Sequence, residues 1–247
     1  KAINAVATPD CKIVLKTGTV PERSTISWEE LVNHPLDQTL GQLTAKINAD
    51  TIVKFLFTSG STKLPKAVIN TNRMICSNQV MIAHAMPFLT EKPPTFVDWL
   101  PWSHTFGGNH NFYMALFNGG SFYIDDGKPL PHAIGQTLDN LREISPSIYF
   151  NVPKGYESLA NALKEDDSLR EKFFKELNLM FYAGASLPAP VWAMLFEVAE
   201  KQIGKRVPII TSLGMTESSP AAIIVNRIGI KPGEIGVPMP GVKIKLV

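Results

Sequence analysis

The sequence predicts an α/β fold: mainly parallel sheets with helices on both faces. Three observations carry that expectation. Strand-sized apolar runs recur from residue 95 onward, at residues 95–100, 121–124, 147–152, 179–182 and 208–212, and helix-length amphipathic segments separate most of them. Such alternation builds βαβ units, whose right-handed crossovers leave neighbouring strands parallel. In addition, the polar or glycine-rich stretches follow the predicted strands, which is where open α/β sheets bind ligands.

Bulk properties narrow the function classes. A chain of 247 residues with a formal charge of +2 is long enough for a substantial core and too weakly basic to argue for nucleic acid or a membrane surface. Its apolar runs are far shorter than the roughly 20 residues that span a bilayer, and Lys1-Ala2-Ile3-Asn4-Ala5 lacks a signal-peptide core. The two cysteines, Cys11 and Cys76, form no disulfide framework and no metal-ligand spacing, so they read as free thiols of a cytoplasmic protein.

Residues 1–48 offer short apolar pieces such as Lys12-Ile13-Val14-Leu15 between turn signals, and Ser27-Trp28-Glu29-Glu30 has the form of a capping box that opens a short helix. Residues 51–57, apolar and rich in β-branched and aromatic side chains, predict a buried strand, and 67–71 a second strand. Asn72 is the expected cap of a helix that carries Met74, Ile75, Met81, Ile82 and Ala85 on one face and stops at Pro87. A strand over 95–100 runs into the loop 101–108. Helices are predicted near 131–144, over 154–163, over 168–177, and from Pro188 or Pro190 to Gly204.

Between the first two strands lies Thr58-Ser59-Gly60-Ser61-Thr62-Lys63-Leu64-Pro65-Lys66. By its small polar residues alone it reads as a hairpin loop. With a strand on each side and Pro-Lys at its end it also suits phosphate binding, because backbone N–H groups and hydroxyls can turn toward one anion while a lysine adds full charge. It is not a Walker A loop, which would place Gly-Lys-Ser/Thr directly before a helix. His104, in Pro101-Trp102-Ser103-His104-Thr105-Phe106-Gly107-Gly108, reads either as a hydrogen-bonded structural residue or as part of a site. Phe106 reads equally as core. Ala183-Gly184-Ala185 is either a turn or a bare stretch of backbone. Leu213-Gly214-Met215-Thr216-Glu217 reads as a helix start capped by Thr216, with Glu217 favourable in its first turn, or as a second phosphate contact.

Taken together, these stretches resemble those of the adenylate-forming enzymes, which include acyl-CoA synthetases, aryl-CoA ligases and luciferases. Their phosphate loop reads Thr-Ser-Gly-Ser-Thr-Gly-x-Pro-Lys-Gly, from which this chain departs at Lys63 and Ala67. The resemblance implies that Thr58, Ser59, Gly60, Ser61, Thr62 and Lys66 hold the phosphates of ATP, and that His104 meets the acyl carboxylate at the α-phosphate. It implies that Trp102, Phe106 and Ala183 border the acyl pocket, and that Gly184 and Ala185 lie flat against adenine. Leu213, Gly214, Met215 and Thr216 then complete the nucleotide site, with Leu213 in place of an aromatic residue, Thr216 on the α-phosphate and Glu217 on Mg²⁺. Lys66, His104, Thr216 and Glu217 are the implied catalytic set.

The implied activity is ATP-dependent activation of a small carboxylic acid as acyl-AMP, followed by transfer to CoA. The run from Asp98 to His110 looks most like that of feruloyl-CoA synthetases, which implies a hydroxycinnamic acid. A fatty acid, another acyl acceptor, or an inactive nucleotide-binding scaffold are the other readings. Gly233-Glu234-Ile235-Gly236 and the terminal 241–247, expected to be a strand, extend the resemblance. It implies that residues 1–247 are the central part of the large AMP-binding domain and that the small C-terminal domain lies outside them; an oligomer is compatible with the sequence.

Overall fold

A computed structural model describes residues 7–35, 39–58, 64–227 and 229–246. The chain divides into two compact units, residues 1–48 and 49–247. In the first, strands β1 (Ile13–Leu15) and β2 (Thr25–Ser27) pair in parallel. Helix α1 (Trp28–Val32) starts where expected, because the Ser27 hydroxyl accepts from Glu30 N–H at 3.0 Å. A second short helix, α2, covers Thr39–Thr44. Ile13 is the core residue of this unit among those described.

The second unit opens with an antiparallel hairpin, β3 (Ile52–Thr58) and β4 (Lys66–Thr71), in register Phe55 to Ile69 and Thr58 to Lys66. The expected burial of β3 is not observed. Its inward face holds Lys54 and Leu56, whereas Phe55, Phe57 and, across the register, Ile69 are more than half exposed. The physical reason is that a two-stranded ribbon has two faces, and among the described residues only one of them is covered. Helix α3 (Asn72–Ala85) is capped by Thr71, whose hydroxyl accepts from Met74 N–H at 3.4 Å, and not by Asn72, which is its first helical residue.

β5 (Thr95–Asp98) pairs in parallel with β6 (Ser121–Ile124), and the Ser147 N–H donates to Thr95 O at 3.0 Å just before β7 (Ile148–Asn151). The stretch after β5, expected as a loop, turns at 101–104 and then winds into a π-helical segment, Phe106–Asn111, that continues as α4 (Phe112–Phe117). Gly107 and Gly108 make this possible. A Cβ on Gly107 would stand 2.6 Å from Leu100 O, and one on Gly108 only 2.2 Å from Trp102 O, so the coil can nest under its own entry loop only where side chains are missing.

Beyond α5 (Ile134–Glu143), β7 begins the main sheet, ordered β11-β10-β9-β8-β7. β7, β8 (Leu179–Tyr182) and β9 (Ile209–Gly214) are parallel, as the alternation predicts. Their crossovers are α6 (Pro153–Glu165) with α7 (Asp167–Phe174), and α8 (Ala189–Ile203), which Gly204 ends in a left-handed conformation at φ 69°. β10 (Ala221–Ile224) and β11 (Val237–Pro238) add antiparallel strands at the edge. Residues 242–246, expected as a strand, have no regular structure. The core is built on Phe96, Tyr149, Phe150, Phe173, Met180 and Phe181, all at most 1% exposed. Tyr156 fastens α6 to it: its hydroxyl donates to Tyr149 O at 2.6 Å and accepts from Phe181 N–H at 2.9 Å.

Candidate active site

Three stretches that are far apart in sequence wall one cavity of about 390 Å³ at the carboxyl ends of β8 and β9. They are residues 104–106 with His110, residues 181–186, and residues 211–214, and Pro220, Ala221, Gly233 and Ile235 close the wall. His104, Phe106, Ala183, Gly184, Ala185, Leu213 and Gly214, all expected at the site, are brought together here. A second cavity, about 500 Å³, opens between Phe88, Leu89, Ile148 and Leu179 at the other ends of the same strands. It is lined by no glycine and by a single hydroxyl side chain, Ser147.

Each element delivers its part for a local reason. β8 ends at Tyr182, and Gly184 then takes φ 90°, a left-handed conformation that glycine adopts at no steric cost. The Thr211 hydroxyl donates to Tyr182 O at 2.8 Å and ties the ends of β8 and β9 together beside the cavity. The exposed His104 is oriented by its own turn: Phe106 N–H donates to His104 Nδ1 at 3.2 Å. With Nδ1 accepting, the neutral ring carries its proton on Nε2 and offers a donor. Phe106 is 7% exposed and serves two roles, since it lines the cavity and also packs against Phe150 and Phe181 at 6.3 and 6.0 Å.

Other expected residues stand outside the cavity wall. Trp102 is 46% exposed and packs on Phe112, with ring centroids 4.8 Å apart. Met215, Thr216 and Glu217 follow β9 into a three-residue 3-10 turn, Thr216–Ser218, in place of the longer helix that Thr216 would cap. This turn lies against β4. Lys66 and Thr58 face each other across the hairpin mouth, both on described residues. Ser59, Gly60, Ser61, Thr62 and Lys63 lie outside the described residues.

A polar network that the sequence reading missed joins these parts. Asn109 Nδ2 donates to Asn70 Oδ1 at 2.6 Å, to Thr105 Oγ1 at 3.1 Å and to Ser219 Oγ at 3.2 Å. Asn78 Nδ2 donates to Ala221 O at 2.9 Å, and Gln79 Nε2 to Asn109 O at 2.9 Å. β4, α3, the π-helical segment and the turn after β9 are thus cross-linked by fully buried amides. The available signal was Asn78-Gln79 lying between Ile75 and Ile82 on the apolar face of α3.

His110 was also missed as a site residue. It is 1% exposed, its Nδ1 lies 2.8 Å from Asn111 Oδ1, and Asn111 Nδ2 donates to Asp98 Oδ2 at 2.8 Å. Burial pushes the His110 pKa down to about 4, against the pull of Asn111. Burial pushes Asp98 up to about 6, opposed by the Leu100 N–H and Asn111.

Among the described residues no group of three His, Cys, Asp or Glu side chains gathers as a metal site. Glu217, the residue expected on Mg²⁺, is exposed on the turn after β9, and a single carboxylate is compatible with Mg²⁺, which keeps much of its water and takes few protein ligands. Among the described residues no helix is long and apolar enough to cross a membrane.

The mixed α/β fold matches that of solved adenylate-forming enzymes. A malonyl-CoA ligase with methylmalonyl-CoA and AMP bound superposes with a TM-score of 0.70 at 20% identity, over 97% of this chain and 48% of that one. The anthranilate CoA ligase AuaEII in complex with anthranoyl-AMP superposes at 0.62 and 23% identity, over 81% and 36%. The sequence agrees with the fold: residues 1–247 match the AMP-binding enzyme family, and the chain belongs to it. Curated relatives include long chain acyl-CoA synthetase 6, peroxisomal, of Arabidopsis thaliana, 24% identical over 80% of this chain and 32% of the relative. Anthranilate–CoA ligase of Pseudomonas aeruginosa is 27% identical over 77% and 34%. The chain spans about a third of the length of these two relatives.

Proposed function

We propose that the protein carrying this chain is an ATP-dependent acid–CoA ligase that takes a hydroxycinnamic acid such as ferulate. Membership of the AMP-binding family supports the reaction type, and one observation carries the location: three separate stretches, at 104–106, 183–186 and 211–214, wall a single cavity. Acetyl-, fatty acyl- and anthranilate-CoA ligases are among the relatives.

A carboxylate does not react with a thiol directly, because oxide would have to leave. Attack of the carboxylate oxygen on the α-phosphorus of ATP expels pyrophosphate and forms acyl-AMP, and the CoA thiol then displaces AMP. Both partners of the first step are anionic, so positioning and charge neutralisation dominate its catalysis. In this reading Lys66 and the hydroxyls of Thr58, Ser59, Ser61, Thr62 and Thr216 hold the phosphates. Glu217 holds Mg²⁺, whose charge neutralises the phosphate oxygens when it is bound. His104 Nε2–H donates to the acid's carboxylate as it approaches the α-phosphate. Gly184 and Ala185 leave room for the flat base, and Phe106 with Tyr182 offers an aromatic wall for a planar acid.

The test is incubation of the full-length protein with ATP, CoA and a panel of aromatic, short-chain and fatty acids, with AMP and thioester measured. Ferulate giving the highest kcat/KM is the expected result. A higher value for octanoate would replace the aromatic acid by a fatty acid.

A further inference from the structure

The cavity wall contains two histidines six residues apart, His104 and His110, and the hydrogen bonds around them fix opposite faces of the imidazole. His104 accepts Phe106 N–H on Nδ1 and so presents a donor. At His110 the order is reversed. Asp98 Oδ1 accepts Leu100 N–H at 3.0 Å, and its Oδ2 takes the Asn111 amide N–H, so Asn111 must turn its oxygen to His110. Nδ1 of His110 then carries the proton and donates to Asn111 Oδ1, which leaves a lone pair on Nε2. That Nε2 is buried and has no hydrogen-bond partner among the described residues. Its ring stands among Phe106, Phe150 and Phe181, at centroid distances of 5.6, 5.5 and 5.1 Å, and two of these three also line the cavity. An acceptor shut away from water in such company is costly until a donor reaches it.

Resting on the ligase reading, we propose that His110 Nε2 is the acceptor that selects an acid bearing a hydrogen-bond donor, a phenolic hydroxyl or an aryl amine, remote from its carboxylate. The acid then meets opposite partners at its two ends, with His104 donating to the carboxylate and His110 accepting from the far group. Asp98 and Asn111 act as positioning residues that set the His110 tautomer. An acid without the donor leaves Nε2 buried and unpaired, which makes recognition a matter of chemistry and not of volume.

The full-length protein, its His110→Phe variant and its Asp98→Asn variant should be compared on cinnamate, 4-hydroxycinnamate and 4-methoxycinnamate, which present respectively no polar group, a donor and an acceptor only. Wild type is expected to favour 4-hydroxycinnamate over cinnamate by about 10-fold or more in kcat/KM, the scale of one buried hydrogen bond. His110→Phe should bring that ratio to within about threefold, chiefly through KM. Asp98→Asn presents an N–H₂ to Asn111, which rotates its amide and gives N–H₂ to His110 Nδ1. The ring proton moves to Nε2, and the preference should swing to the methoxy acid. An unchanged ratio in His110→Phe overturns the assignment while leaving the ligase reading standing. Absence of pyrophosphate exchange in all three proteins, both with these cinnamates and with the aromatic, short-chain and fatty acid panel, removes the ligase reading itself. Histidine-selective ¹⁵N spectra report the tautomer independently of turnover, and a protonated Nε2 in wild type overturns the inference whatever the rates.

Discussion

Lys66 opens β4 opposite Thr58 at the hairpin mouth, and Glu217 stands exposed on the turn that packs against the same strand. If the phosphates lie there, each residue supplies charge that matters most as the α-phosphorus is attacked. Lys66→Ala and Glu217→Gln should each lower the rate of pyrophosphate exchange by about 10²–10³-fold. Unchanged rates in both would move the site away from this mouth. His110 and Asp98 set a pH signature at the same scale. A histidine held at about 4 stabilises the fold fully above its ordinary pKa of 6.5 and loses that contribution as pH falls toward 4. Asp98, raised to about 6, acts in the opposite sense: its contribution is present below the ordinary carboxylate value and is lost as pH rises through 6. Over pH 4–6 the two nearly cancel. His110→Phe leaves Asp98 alone, so relative to wild type the variant should gain stability, on the order of 1 kcal/mol per pH unit, as pH falls through that window. Urea melts at pH 4.5, 5.5 and 6.5 that stay parallel for the two proteins would contradict the assignment of both groups.

At the scale of elements, α6 depends on one hydroxyl. Tyr156 O–H links Tyr149 O of β7 to Phe181 N–H of β8 inside a core where no water replaces it. Tyr156→Phe keeps the ring and strands two backbone groups, which should cost about 1–3 kcal/mol of unfolding free energy. A loss under 0.5 kcal/mol in chemical denaturation would mean that the strands re-pair without it. The π-helical segment is similarly constrained. Gly108→Ala drives a methyl into Trp102 O. The segment that carries Phe106 and His110 would have to shift, and the aromatic acid's KM should rise more than that of ATP.

For the molecule as a whole, the outer face of the hairpin is the conspicuous liability. Phe55, Phe57 and Ile69 are 53%, 69% and 51% exposed on neighbouring strands. A contiguous apolar sheet face of this kind promotes association. A protein consisting of residues 1–247 alone should therefore self-associate at micromolar concentration, and Phe55→Lys with Phe57→Glu should return it to monomer in sedimentation. A monomeric parent would show that this face is covered in solution.

Sequence alone determined the βαβ alternation, because the strands β7, β8 and the start of β9 are mostly apolar runs and their crossover helices carry 3.6-residue stripes, both of which are local patterns. It also determined which stretches carry glycine and hydroxyl chemistry, and β6 and β8 fall on the expected residues. Tertiary structure decided what no local pattern encodes. β3 has the composition of a buried strand, yet its burial depends on whether a neighbour covers it. Asn72 and Thr71 are both competent caps, and Thr71 takes the role because it is the residue left extended just before the helix. Asn70, Asn78, Asn109 and Ser219 look like ordinary polar residues until folding brings positions up to 149 apart into one buried cluster. His110 acquires its meaning in the same way: Asp98, twelve residues earlier, sets its proton through Asn111, and that arrangement exists only once β5 and the π-helical segment are packed together.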